Sequence, residues 1–419
     1  MNLRVFFKTA GTLLILTSCV ICGASTVRGQ DADQVKGTVA EPADAAEIRI
    51  QIALVEKLKE SVPDRGGALY FLAEQRQHLG ETLDVLKLLK ECVTLREGFD
   101  PSGGPAFAGL KEQKEFQDLI ANVHKDFPVV AQGRMAFVTE EKDLIPEGLA
   151  YDVKRDVFYM SSLNRRKIVQ IGEDGMVTDF VPGERDRLLP VLGIRMDPND
   201  ATVWANSFSG SGKTELLHFG ANGELLGRYA PKDTAKHGFN DLVVRKNGEV
   251  IVTDSLGGQV FRFDQKTEAF SELAMHRELS YPNGIALGED DRQLFIADDL
   301  GVVRVDLASG ASADLNPGVR STLAGIDGLY WHKGSLIGIQ NGIGSPRVAA
   351  FRLSKDGLRV MQTTVLENRS ALTILPTTGA IKGNDFYFIA NSQIDNMNND
   401  KVLDTTKLAR VRIGVVRLP

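Results

Sequence analysis

The sequence predicts a mainly β protein, a six-bladed β-propeller preceded by a small α-helical segment. Three observations predict this fold class: a glycine-rich composition, a change from helical to strand-like patterning near residue 134, and a motif repeated through the C-terminal part. The 419 residues include 41 glycines but only 15 prolines, which favours many tight turns between short strands. The formal net charge of −6 disfavours a nucleic-acid-binding protein, because that class normally carries a basic excess.

Residues 1–30 have the pattern of an export signal. Basic residues precede an apolar stretch over residues 10–21, and small residues follow it. That stretch is shorter than the ~20 residues of a transmembrane helix. The segment Leu16–Cys19 also resembles a bacterial lipobox, in which Cys19 would carry the lipid. We therefore expect an exported protein, periplasmic or extracellular, which contacts a membrane only if it is lipidated at Cys19.

Residues 31–130 are predicted to form a helical segment and a linker. Residues 67–80 and 81–96 have the apolar spacing of two antiparallel helices, similar to a tetratricopeptide-type hairpin. The segment holds about one and a half such repeats, fewer than the three or so that a free solenoid needs. We therefore expect it to pack on the following domain, and it is also the candidate surface for a protein partner. Cys92, the one cysteine outside the signal, is expected to be buried.

Residues 131–419 contain six similar stretches, which predict the propeller. Each stretch has a pivot residue, usually followed by glycine, then an apolar pair, a polar turn and a second apolar strand. A repeat of roughly 45 residues with about four short strands is typical of propeller blades. A β-sandwich would not explain a repeat that keeps its phase through six copies. The pivots are Glu147, Leu192, Asn240, Asn283, Asp327 and Thr378.

The pivots predict a metal site, because the first strand of each propeller blade lines the central channel. Equivalent positions in successive blades therefore form a ring around the axis. Two carboxylates and two amides in one ring make a hard, oxygen-only site, which suits Ca²⁺. Zn²⁺ generally prefers His or Cys ligands, but Zn²⁺ and Mn²⁺ stay open as alternatives. The predicted ligands are Glu147, Asn240, Asn283 and Asp327.

These four positions also resemble a known family. The dipeptides Glu147-Gly148, Asn240-Asp241, Asn283-Gly284 and Asp327-Gly328, in this order and spacing, look like the metal site of the SMP-30/gluconolactonase/LRE-like family of six-bladed propellers. The resemblance implies that Glu147, Asn283 and Asp327 bind a divalent cation. It implies that Asn240 lies beside the cation, and that the activity is hydrolysis of lactones or related esters.

Residue chemistry assigns the catalytic roles within this site. A carboxylate that touches both the cation and a water can accept the proton of that water, so Asp327 is the candidate general base. Asn240 is expected to orient the substrate or the water through its amide. Gly238 stands where the sugar-lactone hydrolases of the family carry an arginine, which argues against a sugar lactone as the substrate.

Four further residues are weaker candidates for substrate contact. His237 lies close in sequence to Asn240, and Arg195 follows the pivot of its own blade by three residues. A surface ion pair is the competing interpretation of Arg195. A second set of polar residues ends each second strand, where most members should cap turns. From this set, Asp254 and Asn341 are expected at the substrate mouth.

Two other function classes compete with a lactone or ester hydrolase. The first is a non-catalytic scaffold that binds a protein partner and holds a structural metal. An enzyme should keep its oxygen ligands converging on an open pocket, whereas a scaffold can close the channel. The second is a strictosidine-synthase-like propeller without metal-dependent hydrolysis, which the complete Glu/Asn/Asn/Asp set disfavours.

Overall fold

A computed structural model describes residues 42–172, 175–183, 185–398 and 400–419. The predicted export signal and the lipidation site at Cys19 lie outside these residues. Within the part of the chain that the structure describes, no helix is both long and apolar enough to cross a membrane.

Four helices form the N-terminal segment: α1 (Pro42–Leu58), α2 (Arg65–His78), α3 (Thr82–Thr94) and α4 (Lys114–Asp126). Helix α2 begins after Asp64, whose carboxylate caps it by accepting the Gly67 N–H. Helices α2 and α3 pack together through an apolar cluster, at the positions of the predicted helix pair. Cys92 lies in this cluster and is fully buried, as expected.

From Val130 onward, with short 3₁₀ helices at Ile394–Asn396 and Thr405–Lys407, the described chain forms strands joined by turns and loops. In chain order they are β1 (Val130–Ala131), β2 (Arg134–Val138), β3 (Leu149–Asp152), β4 (Val157–Ser162), β5 (Lys167–Ile171), β6 (Val177–Val181), β7 (Val191–Met196), β8 (Val203–Phe208), β9 (Thr214–Phe219), β10 (Leu225–Tyr229), β11 (Phe239–Val244), β12 (Val250–Asp254), β13 (Gln259–Asp264), β14 (Ala269–Glu272), β15 (Ile285–Leu287), β16 (Gln293–Asp298), β17 (Gly301–Asp306), β18 (Ser312–Asp314), β19 (Ile326–His332), β20 (Ser335–Gln340), β21 (Arg347–Leu353), β22 (Val360–Asn368), β23 (Gly379–Lys382), β24 (Asp385–Ile389), β25 (Met397–Asn398), β26 (Lys401–Val402) and β27 (Arg412–Arg417).

These strands confirm the predicted six-bladed β-propeller. Blades 1 to 4 are the antiparallel sheets β3–β6, β7–β10, β11–β14 and β15–β18. Blade 5 consists of β19–β22, with β1 added at its outer edge. Blade 6 consists of β23, β24, β27 and β2, while β25 and β26 form a separate two-stranded ribbon.

The ring is closed by a strand from the start of the propeller sequence. Strand β2 pairs antiparallel with β27 as the outer strand of blade 6, with Arg134 opposite Val415 and Val138 opposite Arg412. Backbone hydrogen bonds therefore tie the first and last strands of the propeller into one sheet, which protects an otherwise free edge.

Glycines bring the inner strands of neighbouring blades close together. A Cβ atom added to Gly284 would lie 2.1 Å from the Asp327 carbonyl oxygen, and one added to Gly148 would lie 2.3 Å from the Leu192 carbonyl oxygen. Real Cβ atoms do not approach this closely, so at these two positions the backbones can meet only because the residue after the pivot lacks a side chain. The pivots are thereby held beside one another around the axis.

The helical segment docks on blades 4 and 5. The Asp64 carboxylate accepts hydrogen bonds from Thr322, Leu323 and Ala324 in the loop before β19. Ala324 also packs within the apolar cluster of the helices. At a second point, the backbone of Asp100 exchanges hydrogen bonds with the loop after β20. The segment is therefore fixed to the propeller by both polar and apolar contacts.

Candidate functional site

The predicted ligands lie at the inner ends of four blades. Asn240 and Asp327 are the second residues of β11 and β19, while Glu147 and Asn283 each stand two residues before an inner strand. The Thr378 hydroxyl donates to the Glu147 carbonyl oxygen at 2.7 Å and so joins the pivots of blades 6 and 1. The repeat therefore places these side chains on one ring.

Glu147 and Asp327 form a buried acidic pair. They are 7% and 6% exposed. Burial, and next the charge of Asp327, raises the pKa of Glu147 well above its usual range. Burial raises the pKa of Asp327 to about 7, against the opposing hydrogen bonds from Asn341 and Asn283. Glu147 Oε2 is buried and has no well-formed hydrogen bond among the described residues, although the nearby Thr377 hydroxyl opposes the rise in the pKa of this carboxyl.

This acidic pair fits a hard divalent cation. An uncompensated pair of buried carboxylates is unfavourable, and a cation would neutralise it. Among the described residues no three Asp, Glu, His or Cys side chains converge on a metal-binding geometry, so further ligands would be neutral oxygens from amides, backbone carbonyls, hydroxyls or water. Asn283 lies against Asp327 and can supply an amide oxygen. An all-oxygen set of this kind suits Ca²⁺ better than Zn²⁺.

Asn341, a weak candidate from sequence, contacts the acidic pair directly. Its Nδ2 donates to Asp327 Oδ2 at 2.6 Å and to the Pro376 carbonyl oxygen at 3.0 Å. The amide therefore bridges Asp327 to the next blade. It holds the carboxylate in one orientation and favours its charged form.

Asn240 is turned toward its own blade. Its Nδ2 donates to Ser255 Oγ at 3.1 Å, and the structure gives it no hydrogen bond to Glu147 or Asp327. The next residue, Asp241, is the one whose charge raises the pKa values of both members of the pair. Asn240 thus shares the ring with the other three predicted ligands, but its amide is hydrogen-bonded to Ser255.

Arg195 is held in a buried ion pair. Its Nη2 lies 2.7 Å from Asp241 Oδ2, and the two side chains are 16% and 3% exposed. Its guanidinium carbon lies 5.1 Å from the centroid of the Tyr330 ring. The charge near the channel that the sequence suggested is present, but Asp241 neutralises it. The ion pair expected as the alternative also exists, although it is buried and not at the surface.

His237 and Asp254, the other two weak candidates, bond to each other. His237 Nδ1 lies 2.5 Å from Asp254 Oδ2, and Asp254 Oδ1 accepts the Gly238 N–H at 2.7 Å. Asp254 is fully buried. Neither residue lines the cavity described next. Their hydrogen bonds fix the loop before β11 to the end of β12.

A cavity of about 60 Å³ lies beside Asp327, between the propeller and helix α2. This volume is enough for about four or five water-sized groups. The sequence did not predict that the helical segment forms one wall of this cavity. The lining residues are Gly67, Tyr70, Phe71, Glu74, Phe99, Tyr281, Asn283, Asp298, Asp299, Ala324, Gly325, Ile326, Asp327, Asn341 and Gly342.

A glycine in α2 allows the helix to pack closely against the propeller and so to form this wall of the cavity. A Cβ atom on Gly67 would lie 2.5 Å from the Ala324 Cβ, so the helix can approach the propeller only where it lacks a side chain. Glycine is unfavourable inside a helix by about 1 kcal/mol relative to alanine. The Gly66-Gly67 pair could therefore have indicated a close packing contact, but not the partner of that contact.

Two carboxyl groups at the interface between the helical segment and the propeller have pKa values above their usual range. Burial raises the pKa of Asp299 to about 8, and it raises that of Glu97 to about 8 with help from the charge of Asp64. Burial and the charge of Asp299 also raise the pKa of Glu74 well above its usual range. These groups therefore bind protons more tightly in the folded protein than in the unfolded chain.

We expect the chelated protein to lose stability as the pH rises from about 6.5 to 8.5. Asp299 and Glu97 have folded pKa values above their unfolded ones, so their contribution is fully present below the unfolded pKa values of about 4 and is lost progressively as the pH rises to about 8. After allowance for solvent screening the loss should be about 1 kcal/mol or more. Thermal unfolding in EDTA at the two pH values measures it. A melting temperature that stays constant or rises would contradict these assignments.

The comparisons with known proteins show similarity of fold only. No family model matches the chain, and no curated protein sequence matches it significantly. A gluconolactonase from Xanthomonas campestris has a TM-score of 0.46 at 16% identity, covering 70% of this chain and 91% of that one. A virginiamycin B lyase from Staphylococcus aureus has a TM-score of 0.44 at 18% identity, covering 61% of this chain and 80% of that one. The PQQ-bound aldose sugar dehydrogenase from Streptomyces coelicolor has a TM-score of 0.45 at 15% identity, covering 69% of this chain and 96% of that one.

Proposed function

We propose that this protein is an exported, divalent-cation-dependent hydrolase of lactones or related esters. One observation carries the proposal: Glu147 and Asp327 are buried together, and Glu147 Oε2 has no well-formed hydrogen bond among the described residues. The similarity of the four ring dipeptides to the SMP-30/gluconolactonase/LRE-like pattern supports it. Glu147, Asn283 and Asp327 would hold the cation, with Ca²⁺ as the first choice from the oxygen-only donor set.

Each residue of the site would have a separate role in ester hydrolysis. A bound cation would act as a Lewis acid toward the carbonyl oxygen of the substrate. Asp327 would accept the proton of the attacking water. Its pKa of about 7 is that of the cation-free protein, and a bound cation would lower it. Asn341 keeps the Asp327 carboxylate oriented through its 2.6 Å hydrogen bond. Asn240 would orient the substrate or the water after turning from Ser255.

The alternative is a non-catalytic scaffold with a structural metal. The observation that favours it is the position of α2, which covers the cavity beside Asp327 and leaves about 60 Å³. A pocket of this size leaves room for only about four or five water-sized groups. A scaffold would bind its partner elsewhere, and chelation would then alter its stability without changing any reaction.

A panel of small lactones and aryl esters tests the proposal. We expect hydrolysis with Ca²⁺, loss of hydrolysis in EDTA, and recovery when Ca²⁺ is restored. Asp327→Ala should lower kcat/KM by about a hundredfold, because it removes the candidate base. Asp290→Ala, at an exposed position on blade 4, is the matched control and should retain full activity. A wild-type protein that hydrolyses nothing, or a chelated protein as active as the loaded one, would favour the scaffold.

A further inference from the structure

The side chains of Arg195 and Tyr330 meet across the axis of the propeller. Arg195 belongs to β7 in blade 2, and its guanidinium carbon lies 5.1 Å from the ring centroid of Tyr330 in β19 of blade 5. Blades 2 and 5 face each other in a ring of six, so the two side chains together span the central channel. Each follows the pivot of its own blade by three residues, and they therefore form a layer next to the ring of pivots.

Several contacts fix this guanidinium in place. Its Nη2 donates to Asp241 Oδ2 at 2.7 Å, and its Nη1 donates to the Ile194 carbonyl oxygen at 2.9 Å. The Tyr330 ring adds a cation–π contact. Asp241 is 2% exposed, and its Oδ1 accepts the Leu242 N–H at 2.8 Å. The ion pair therefore holds both of its charges at defined positions inside the protein.

This ion pair lies next to the proposed cation site. Asp241 directly follows the predicted ligand Asn240, and its charge acts on both members of the acidic pair, Glu147 and Asp327. Arg195 offsets the charge of Asp241, because the two groups are 2.7 Å apart. When the three carboxylates are ionised, the ring and the adjoining ion pair together carry a net charge of −2, which equals in size the charge of a divalent cation.

We propose that Arg195 determines the charge specificity of the cation site: its fixed positive charge, balanced by Asp241, matches the site to a divalent cation and disfavours a trivalent one. Electrostatic repulsion grows in proportion to the charge of the bound ion, so Arg195 acts more strongly against a trivalent ion than against Ca²⁺. This inference rests on the cation site of the proposed function, but not on the hydrolysis of any ester.

Two variants that both lack the Asp241 charge isolate the effect of Arg195. Asp241→Asn leaves the guanidinium uncompensated, whereas Arg195→Met/Asp241→Asn removes both charges and restores the balance. A unit charge about 10 Å from a bound ion changes its binding constant by up to about tenfold for each charge on the ion, and by less after screening. We expect Asp241→Asn to bind Ca²⁺ at least about tenfold more weakly than wild type and to lower the Tb³⁺/Ca²⁺ affinity ratio at least about threefold. The double variant should return both values close to those of wild type.

Calorimetric titration of the chelator-treated protein with Ca²⁺ and with Tb³⁺ at pH 7 measures these affinities. Arg245→Met is the matched control, because the Arg245 side chain is also 16% exposed and pairs with Glu249 at 2.6 Å. Arg245 follows the far end of β11, about 17 Å along the strand from Asn240, so this variant should keep the wild-type affinities. If Asp241→Asn does not fold, Arg195→Met takes its place and should raise the Tb³⁺/Ca²⁺ ratio at least about threefold.

The outcomes separate this inference from the proposed function. If the affinities follow the expected pattern but no ester is hydrolysed, the hydrolase proposal fails and the role of Arg195 stands. If hydrolysis depends on Ca²⁺ but Asp241→Asn and the double variant bind both ions alike, the role of Arg195 is wrong and the hydrolase proposal stands. A double variant as weak as Asp241→Asn would make Asp241 itself a ligand and would overturn the inference, as would a wild-type protein that binds no Ca²⁺.

Discussion

Replacing Asp64 by alanine is expected to release the helical segment from the propeller. This carboxylate is 2% exposed and accepts hydrogen bonds from both sides of the interface. Leu323 N donates to it at 2.6 Å and Ala324 N at 3.1 Å, while Gly67 N donates from the start of α2. Alanine leaves these N–H groups buried without this acceptor, at about 1–3 kcal/mol for each. We expect a total loss of about 3 kcal/mol.

Hydrogen exchange of the α2 amides is the appropriate measurement, because a chain with two packed parts need not unfold in one step. A loss of about 3 kcal/mol corresponds to exchange that is faster by about a hundredfold. Asp64→Asn should be nearly as damaging, since its amide group cannot accept at both oxygen positions. Asp118→Ala, which removes an exposed ion pair with Lys114, should change exchange little. Unchanged protection of α2 in Asp64→Ala would show that apolar contacts alone hold the segment.

The propeller could be predicted because its information is local and repeated. Each blade carries a pivot and a second strand at nearly constant spacing, so six weak signals support one another. The same repeat put Glu147, Asn283 and Asp327 on one ring, because equivalent positions in successive blades share a radius. Asn341 was found by the same reasoning, from its place at the end of a second strand. Periodicity is thus sufficient to group these side chains.

The features missed from sequence depend on contacts between distant segments. Strand β2 closes blade 6 with β27, which lies more than 270 residues away, and a short strand pattern does not name its partner. The contribution of Glu74 to the cavity depends on how α2 docks, which Asp64 and Gly67 decide through blade 5. The direction of the Asn240 amide toward Ser255 is a rotamer choice, and residue spacing carries no information about it.

Glu147→Gln is expected to change stability in opposite directions with and without Ca²⁺. In EDTA the variant should be more stable than wild type, because glutamine removes a buried acid whose pKa is raised by burial and by Asp327. With Ca²⁺ the order should reverse, because one of the two carboxylates of the ring is gone. A Kd that rises by about a hundredfold would shrink the stabilisation from about 2.7 to about 0.4 kcal/mol at a Ca²⁺ concentration 100 times the wild-type Kd.

Thermal unfolding of wild type and variant, each in EDTA and in Ca²⁺, measures all four states. The reversal distinguishes a metal ligand from a structural acid, since a structural acid would destabilise the protein in both buffers when neutralised. Glu140→Gln, at a position paired with Arg410 on the surface, should give parallel changes close to zero. If Glu147→Gln gains as much stability from Ca²⁺ as wild type does, the cation binds elsewhere. The Glu147 oxygen without a well-formed hydrogen bond would then need another ligand.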